Sequence, residues 1–218
     1  MAEVARKKVA VLISGRGSNL QALIDAAASP TYPAEIALVL SNIAEAGGLD
    51  IARGAGIATL TVSHKGKARE AFDAEIDAAL RDRGIDLICL AGFMRLLTPG
   101  FVTAWTDRIL NVHPSLLPAF KGLRVHERVI ADGVRFTGCT VHVVRPEMDA
   151  GPIVAQAAVP VLDDDTPETL AARVLAAEHR VYPLALALTA SGRAQVVGDR
   201  VVVEGAVAAQ GMLVNPAG

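Results

Sequence analysis

Cysteine is scarce in this chain: only Cys89 and Cys139 occur, fifty positions apart in apolar stretches and without a Cys-x-x-Cys pair. That excludes a disulfide framework and a cysteine-based metal module, so both are read as buried free thiols. Runs of five or more like charges are absent as well, and the formal net charge is -2. No basic stripe exists for nucleic acid, which is therefore not an expected partner, and any phosphate recognition must be local. No apolar run approaches a membrane span, and Met1 to Lys8 is polar and charged rather than like a signal peptide. The expectation is a cytoplasmic protein without a membrane partner. Internal repeats and low-complexity linkers are also missing. What is present is a chain of 218 residues, 52% hydrophobic and 20% charged. That composition argues against disorder and is enough to bury a core as one domain or two closely joined halves.

Short β-branched runs alternate with helical patterns through the first half, the signature of βαβ units and a largely parallel sheet. Strands are expected at Lys8 to Ile13, Glu35 to Leu40, Ala58 to Val62 and Leu87 to Ala91. The last is wholly apolar and should be central, as in a sheet covered by helices on both faces. Leu20, Leu23, Ile24 and Ala27 recur at helical spacing, as do Phe72, Ile76, Ala79 and Leu80 within Ala68 to Arg83. Leu49 to Ala55 reads as a short helix. After a connecting segment containing Pro99 and Trp105 come a strand at Ile109 to Val112 and a helix at Gly122 to Ala131. Thr140 to Val144 and Ile153 to Val159 face each other across a turn-rich segment and are expected to pair antiparallel, making the sheet mixed. Thr166-Pro167-Glu168 starts a helix that should run to about Leu188. Gln195 to Val203 reads as a hairpin turning at Gly198-Asp199.

Two segments carry chemistry. Ser14-Gly15-Arg16-Gly17-Ser18-Asn19 lies between a buried strand and a helix, where free N–H groups and the helix dipole suit an anion. It is not a dinucleotide fingerprint, because Leu20 stands at the third glycine position and no acidic residue ends the second strand. A single phosphate monoester fits the loop, and an ordinary strand-to-helix turn fits it equally. In the second segment, Asn111 and His113 lie two apart, hence on one side of a strand end, where open α/β sheets build their sites. Met148-Asp149-Ala150-Gly151-Pro152 places a carboxylate on a turn further on. Acyl transfer to an amine needs an oxyanion stabiliser, a proton carrier near neutral pH and a carboxylate to support that carrier, and these three residues supply them. Two rivals stand beside this reading. One is a serine nucleophile, Ser115 or Ser18, although no Gly-x-Ser-x-Gly elbow is present. The other is a metal held by His113, His142 and Asp149, although no helix-borne ligand spacing is present and no metal is expected.

Ile-Ser-Gly-Arg-Gly-Ser-Asn-Leu-Gln at 13 to 21, Leu-Ala-Gly-Phe-Met-Arg at 90 to 95 and Asn-Val-His-Pro-Ser-Leu-Leu-Pro at 111 to 118 resemble the folate-dependent phosphoribosylglycinamide formyltransferases. Thr-Val-His-Val-Val at 140 to 144, Met-Asp-Ala-Gly-Pro-Ile at 148 to 153 and Glu-His-Arg-Val-Tyr-Pro at 178 to 183 extend the likeness over nearly the whole chain. The resemblance implies a Rossmann-like formyltransferase fold, one domain over 1–218 whose amino-terminal half, about 1–108, binds the phosphate of glycinamide ribonucleotide and whose catalytic half is about 109–218. The carboxyl-terminal half would help to hold 10-formyltetrahydrofolate, the cosubstrate. It implies Asn111, His113 and Asp149 as the catalytic residues. Gly17, Ser18, Asn19, Leu20, Gln21 and Glu178 would bind the ribonucleotide, and Arg69, Met94, Arg95, Leu96, Leu97 and Val144, with Asn111 and Asp149, would bind the folate. The partners it implies are these two small molecules, for a monomer or homodimer in de novo purine synthesis. Arg145-Pro146 falls where the family varies. Without the family, Glu178 reads as a solvated helix residue, Arg69 as a surface charge and Met94 to Leu97 as packing. Formyltransferases acting on transfer RNA and formyltetrahydrofolate hydrolases share the Asn, His and Asp chemistry, and a silent ligand-binding module is the alternative from another class.

Overall fold

The structure, a computed structural model, describes residues 6–205, 211 and 213–216, so most of the polar start falls outside it. Its elements run β1 (Lys7–Ile13), α1 (Ser18–Ala27), β2 (Ala34–Ser41), α2 (Gly48–Gly54), β3 (Thr59–Thr61), α3 (Arg69–Asp82) and β4 (Leu87–Leu90). They continue α4 (Pro99–Ala104), β5 (Ile109–His113), α5 (Val125–Ala131), β6 (Phe136–Val143), β7 (Ile153–Pro160), α6 (Pro167–Ala190), β8 (Ala194–Val197) and β9 (Arg200–Val203). Seven strands form one sheet in the order β3-β2-β1-β4-β5-β6-β7, and β8 and β9 form a separate hairpin. Pairing is parallel from β3 through β5 and antiparallel for β5 with β6 and for β6 with β7. The expected central strand, β4, is the fourth of the seven.

Side chains alternate across the sheet with the period of two that a strand imposes. Val9, Val11 and Ile13 join Leu20 and Leu23 of α1, Leu49 of α2, Val129 of α5 and Leu170 and Val174 of α6 in one core cluster. Ala10 and Leu12 join Phe72, Ile76 and Leu80 of α3 and Phe101 and Trp105 of α4 in the other. Burial on both sides explains why β1 and β4 read as continuous apolar runs. Cys89 and Cys139 are free and buried. Burial pushes each thiol up to about 12, which leaves them protonated and inert at neutral pH.

Three features differ from expectation by more than two residues. The segment after β4 contains a short helix, α4, capped by Thr98, whose side chain accepts from the Phe101 N–H, with Pro99 at the first turn. α5 begins at Val125 rather than Gly122, because Gly122 and Arg124 adopt positive φ, which no helix accommodates. β6 begins at Phe136, four residues before Thr140, since Phe136 to Cys139 find partners at Pro160 to Ala157 of β7.

One side chain of α6 ties that helix to the sheet. Tyr182, fully buried, directs its hydroxyl at the carbonyls of Leu90, the last residue of β4, and Leu110 of β5, 3.0 and 3.1 Å away. Tyr182→Phe would leave both carbonyls without this donor, at a cost of about 1–3 kcal/mol. Urea unfolding should show that loss of stability, and an unchanged midpoint would refute it.

Candidate active site

Brought together at the carboxyl ends of the parallel strands, where the order reverses between β1 and β4, are the glycine loop, the segment after β4 and the end of β5. Asn111 and His113 project from β5 opposite His142 and Thr140 of β6. Asp149 lies on the turn from β6 to β7 with φ 51, a left-handed conformation that side chains other than glycine seldom adopt. Its carboxylate reaches between two imidazoles. Oδ2 is 3.5 Å from Nδ1 of His113, and Oδ1 is 3.9 Å from Nε2 of His142. Asn111 joins them through His142, its Nδ2 lying 3.2 Å from Nε2 of that ring. The three residues expected from sequence therefore share one site, with His142 as the link between Asn111 and Asp149.

The remaining contacts come from backbone. Gly122 donates its N–H to Oδ2 of Asp149 at 2.8 Å. His113 places Nε2 2.9 Å from the carbonyl of Phe120, a residue at φ 54. Both ring nitrogens of His113 thus face oxygen acceptors, an arrangement that an imidazolium satisfies with two donors. The Nδ1 approach, at 3.5 Å, is at the outer limit of hydrogen bonding, whereas the Nε2 contact is well formed.

The glycine loop turns from β1 into α1 at Gly17, whose φ of 84 is left-handed. A Cβ there would lie 2.6 Å from Cα of Gly48 at the start of α2. Gly17→Ala should strain the turn by about 1–2 kcal/mol, enough to weaken binding of a phosphate ligand roughly tenfold. Titration with the phosphorylated substrate would measure this, and unchanged affinity would remove the loop from the site. Asn19 and Leu20 are buried, Ser18 is half-buried and Gln21 is exposed, bonded to Asp25. Asn19 donates from Nδ2 to Oε2 of Glu178 at 2.6 Å, so the loop and α6 meet. Glu178 is therefore buried and not the solvated residue that position alone suggests. Burial pushes its carboxyl upward, and the Asn19 hydrogen bond opposes that shift. Oδ1 of Asn19 is buried without a hydrogen-bond partner among the described residues, which suits a ligand that donates there.

Along the segment after β4, Met94 and Leu96 are exposed at 76% and 56%, unusual for large apolar side chains and consistent with a ligand surface. Leu97 and Val144 pack against the core cluster that contains Phe72, and the Arg95 guanidinium lies 4.7 Å over the Phe72 ring. The Met94 N–H donates to Oγ of Ser14 at 2.8 Å, tying this segment to the glycine loop, and Ser14 in turn donates to Asn42. Arg69 stands exposed at the first residue of α3, and no hydrogen bond or ion pair among the described residues ties it to the others.

The serine rival fits less well. Ser115 is fully buried and donates its hydroxyl to the carbonyl of Ala119, so it is a loop anchor rather than a nucleophile. Among the described residues no group of three or more His, Cys, Asp or Glu side chains is arranged to hold a metal ion. No helix in the described residues is long and apolar enough to cross a membrane. Sequence reasoning weighed His142 only as a metal ligand. Its true neighbours follow from the antiparallel register that sets it opposite Asn111. The roles of Phe120 and Gly122 are made by main-chain atoms and leave no signature in residue type.

The family model described as formyl transferase matches residues 7–186. The phosphoribosylglycinamide formyltransferase of Escherichia coli (strain K12) is 45% identical over 186 residues, covering 85% of this chain and 88% of that protein. The human trifunctional purine biosynthetic protein adenosine-3 is 52% identical over 195 residues, 89% of this chain, which spans only 19% of that protein's length. Among solved structures, glycinamide ribonucleotide transformylase 1 from Symbiobacterium toebii superimposes with a TM-score of 0.88 at 48% identity, covering 91% of this chain and 94% of that one.

Proposed function

The chain belongs to the formyl transferase family, and from that premise we propose that it transfers the formyl group of 10-formyltetrahydrofolate to the amine of 5'-phosphoribosylglycinamide. The products are formylglycinamide ribonucleotide and tetrahydrofolate, a step of de novo purine synthesis carried out by a cytoplasmic enzyme. The observation that carries this reading is the carboxylate of Asp149 set 3.5 Å from His113, with Asn111 alongside, at the end of the sheet where the glycine loop also leaves β1. Residues of about 1–108 supply the phosphate loop and the apolar segment, and those of about 109–218 supply the catalytic groups.

Gly17, Ser18 and Asn19 hold the phosphate at the start of α1, with Leu20 and Gln21 completing the turn. Glu178, bonded to Asn19, receives the sugar-amine part. Met94, Arg95, Leu96, Leu97 and Val144 line the folate, and Arg69 offers its tail a cation. Holding both reactants in one cleft makes the encounter effectively unimolecular. The neutral amine attacks the formyl carbon, the new C–N bond forms, and negative charge grows on the formyl oxygen. Asn111 donates an amide N–H to that oxygen. His113 turns its Nδ1 edge to it, since the Nδ1 contact with Asp149 is the looser of its two. Asp149 compensates the positive imidazole and orients a water that carries the amine proton to the folate nitrogen as the C–N bond to folate breaks. No covalent enzyme intermediate is needed.

Purified protein incubated with 10-formyltetrahydrofolate, with and without the ribonucleotide, tests the reading. Deformylation of folate that depends on the ribonucleotide is the expected result. Equal deformylation without it would make the protein a hydrolase and overturn the proposal.

A further inference from the structure

Building on that reading, we propose that His142 is a positioning residue that holds the Asn111 carboxamide in one of its two orientations, with an N–H turned to the formyl oxygen. The argument begins with the partners of the ring. His142, 2% exposed on β6, sits opposite Asn111 in the antiparallel register. Its Nδ1 lies 3.2 Å from the carbonyl of Val143 and its Nε2 lies 3.2 Å from Nδ2 of Asn111. A carbonyl only accepts and an amide nitrogen only donates. Both contacts are satisfied together when Nδ1 carries the proton and Nε2 is bare, which is the neutral ring in a single tautomer.

Burial pushes His142 below the usual imidazole range. The Val143 carbonyl and Asp149 push the other way, while His113 and Lys121 reinforce the downward shift. With the bare Nε2 in place, a flipped Asn111 would turn its carbonyl oxygen against a lone pair, so the orientation with Nδ2 toward the ring is selected. One N–H of Asn111 is then engaged and the other is left for the cleft. A protonated His142 would reverse this. Its Nε2–H would confront the amide donors and turn to Oδ1 of Asp149, 3.9 Å away, in competition with His113. The neutral ring therefore aims the amide and leaves the carboxylate to its catalytic partner.

The test is a mutant cycle in steady-state kinetics on the full chain. His142→Leu removes the acceptor and should lower kcat about tenfold or more, with little change in KM for either substrate. His142→Gln, whose carbonyl can stand in for Nε2, should recover most of the loss and should retain activity further into the acid range, because glutamine does not titrate. In an Asn111→Ala background, His142→Leu should cost less than about twofold, since a residue acting through Asn111 has nothing left to position. Independent, multiplicative losses in the double variant, or a His142→Gln as impaired as the leucine variant, would overturn the proposal. Wild-type turnover measured alongside separates the two readings: if it does not depend on the ribonucleotide, the proposed function fails. Dependent turnover with multiplicative losses sinks only the role of His142.

Discussion

Asp149→Asn should lower turnover about a hundredfold or more while both substrates still bind. Asparagine keeps an oxygen to accept the Gly122 N–H that now meets Oδ2 at 2.8 Å, so the turn can hold its shape. What disappears is the negative charge 3.5 Å from Nδ1 of His113. In a site where the side chains of His113 and Asp149 are only 7% and 11% exposed, water screens that charge poorly, and its loss falls on the step in which the imidazole must be positive. His113→Ala should lose a similar factor by removing the donor itself. Steady-state kinetics with titration of each substrate would check both, with thermal unfolding to confirm the fold. Turnover within a few-fold of wild type in either folded variant would remove the assignment.

The second large effect is expected at Gly151. A Cβ at this position would lie 1.6 Å from the carbonyl oxygen of Val143, an overlap with backbone that no side-chain rotation relieves. Gly151→Ala must push the turn away from β6, where the Val143 N–H donates to the carbonyl of Pro152 at 2.8 Å. Overpacking of this kind costs about 3 kcal/mol. It also moves Asp149, two residues earlier, and His142, which adjoins Val143. A drop in unfolding midpoint accompanied by loss of most turnover is the expected result. An alanine variant with wild-type stability and activity would show that the close approach is dispensable.

Much of the fold could be read along the chain because each buried parallel strand announces itself as an apolar run and each helix as a stripe of period 3.6. β1, β4 and the stripe Phe72, Ile76 and Leu80 are of this kind. Boundaries set by partners were not legible locally. The first half of β6 is defined by the opposing residues of β7, and the late start of α5 by the positive φ of Gly122 and Arg124. For the site, none of Asn111, His113 and Asp149 stands out alone, and it is their combination on a strand end and a following turn that was legible. His142 is hidden by its setting between Val141 and Val143 on a buried strand, where sequence alone offers it only as a metal ligand until the register is known. Glu178 is the clearest lesson in the other direction. Position on a helix suggests a wet carboxylate, and only the packing of α1 against α6 reveals a buried one held by Asn19.

That same helix carries a consequence of its own. Glu178 and Tyr182 lie four residues apart on α6, hence on one side of it, the first bonded to Asn19 after the glycine loop and the second to carbonyls of β4 and β5. A small roll of α6 about its axis would sweep both groups in the same direction, moving the partner of Asn19 and the donor to the sheet carbonyls as one body. Substitutions on the flank of α6 that abuts α1 would thus displace the glycine loop's partner and the donor to β4 and β5 together rather than one at a time.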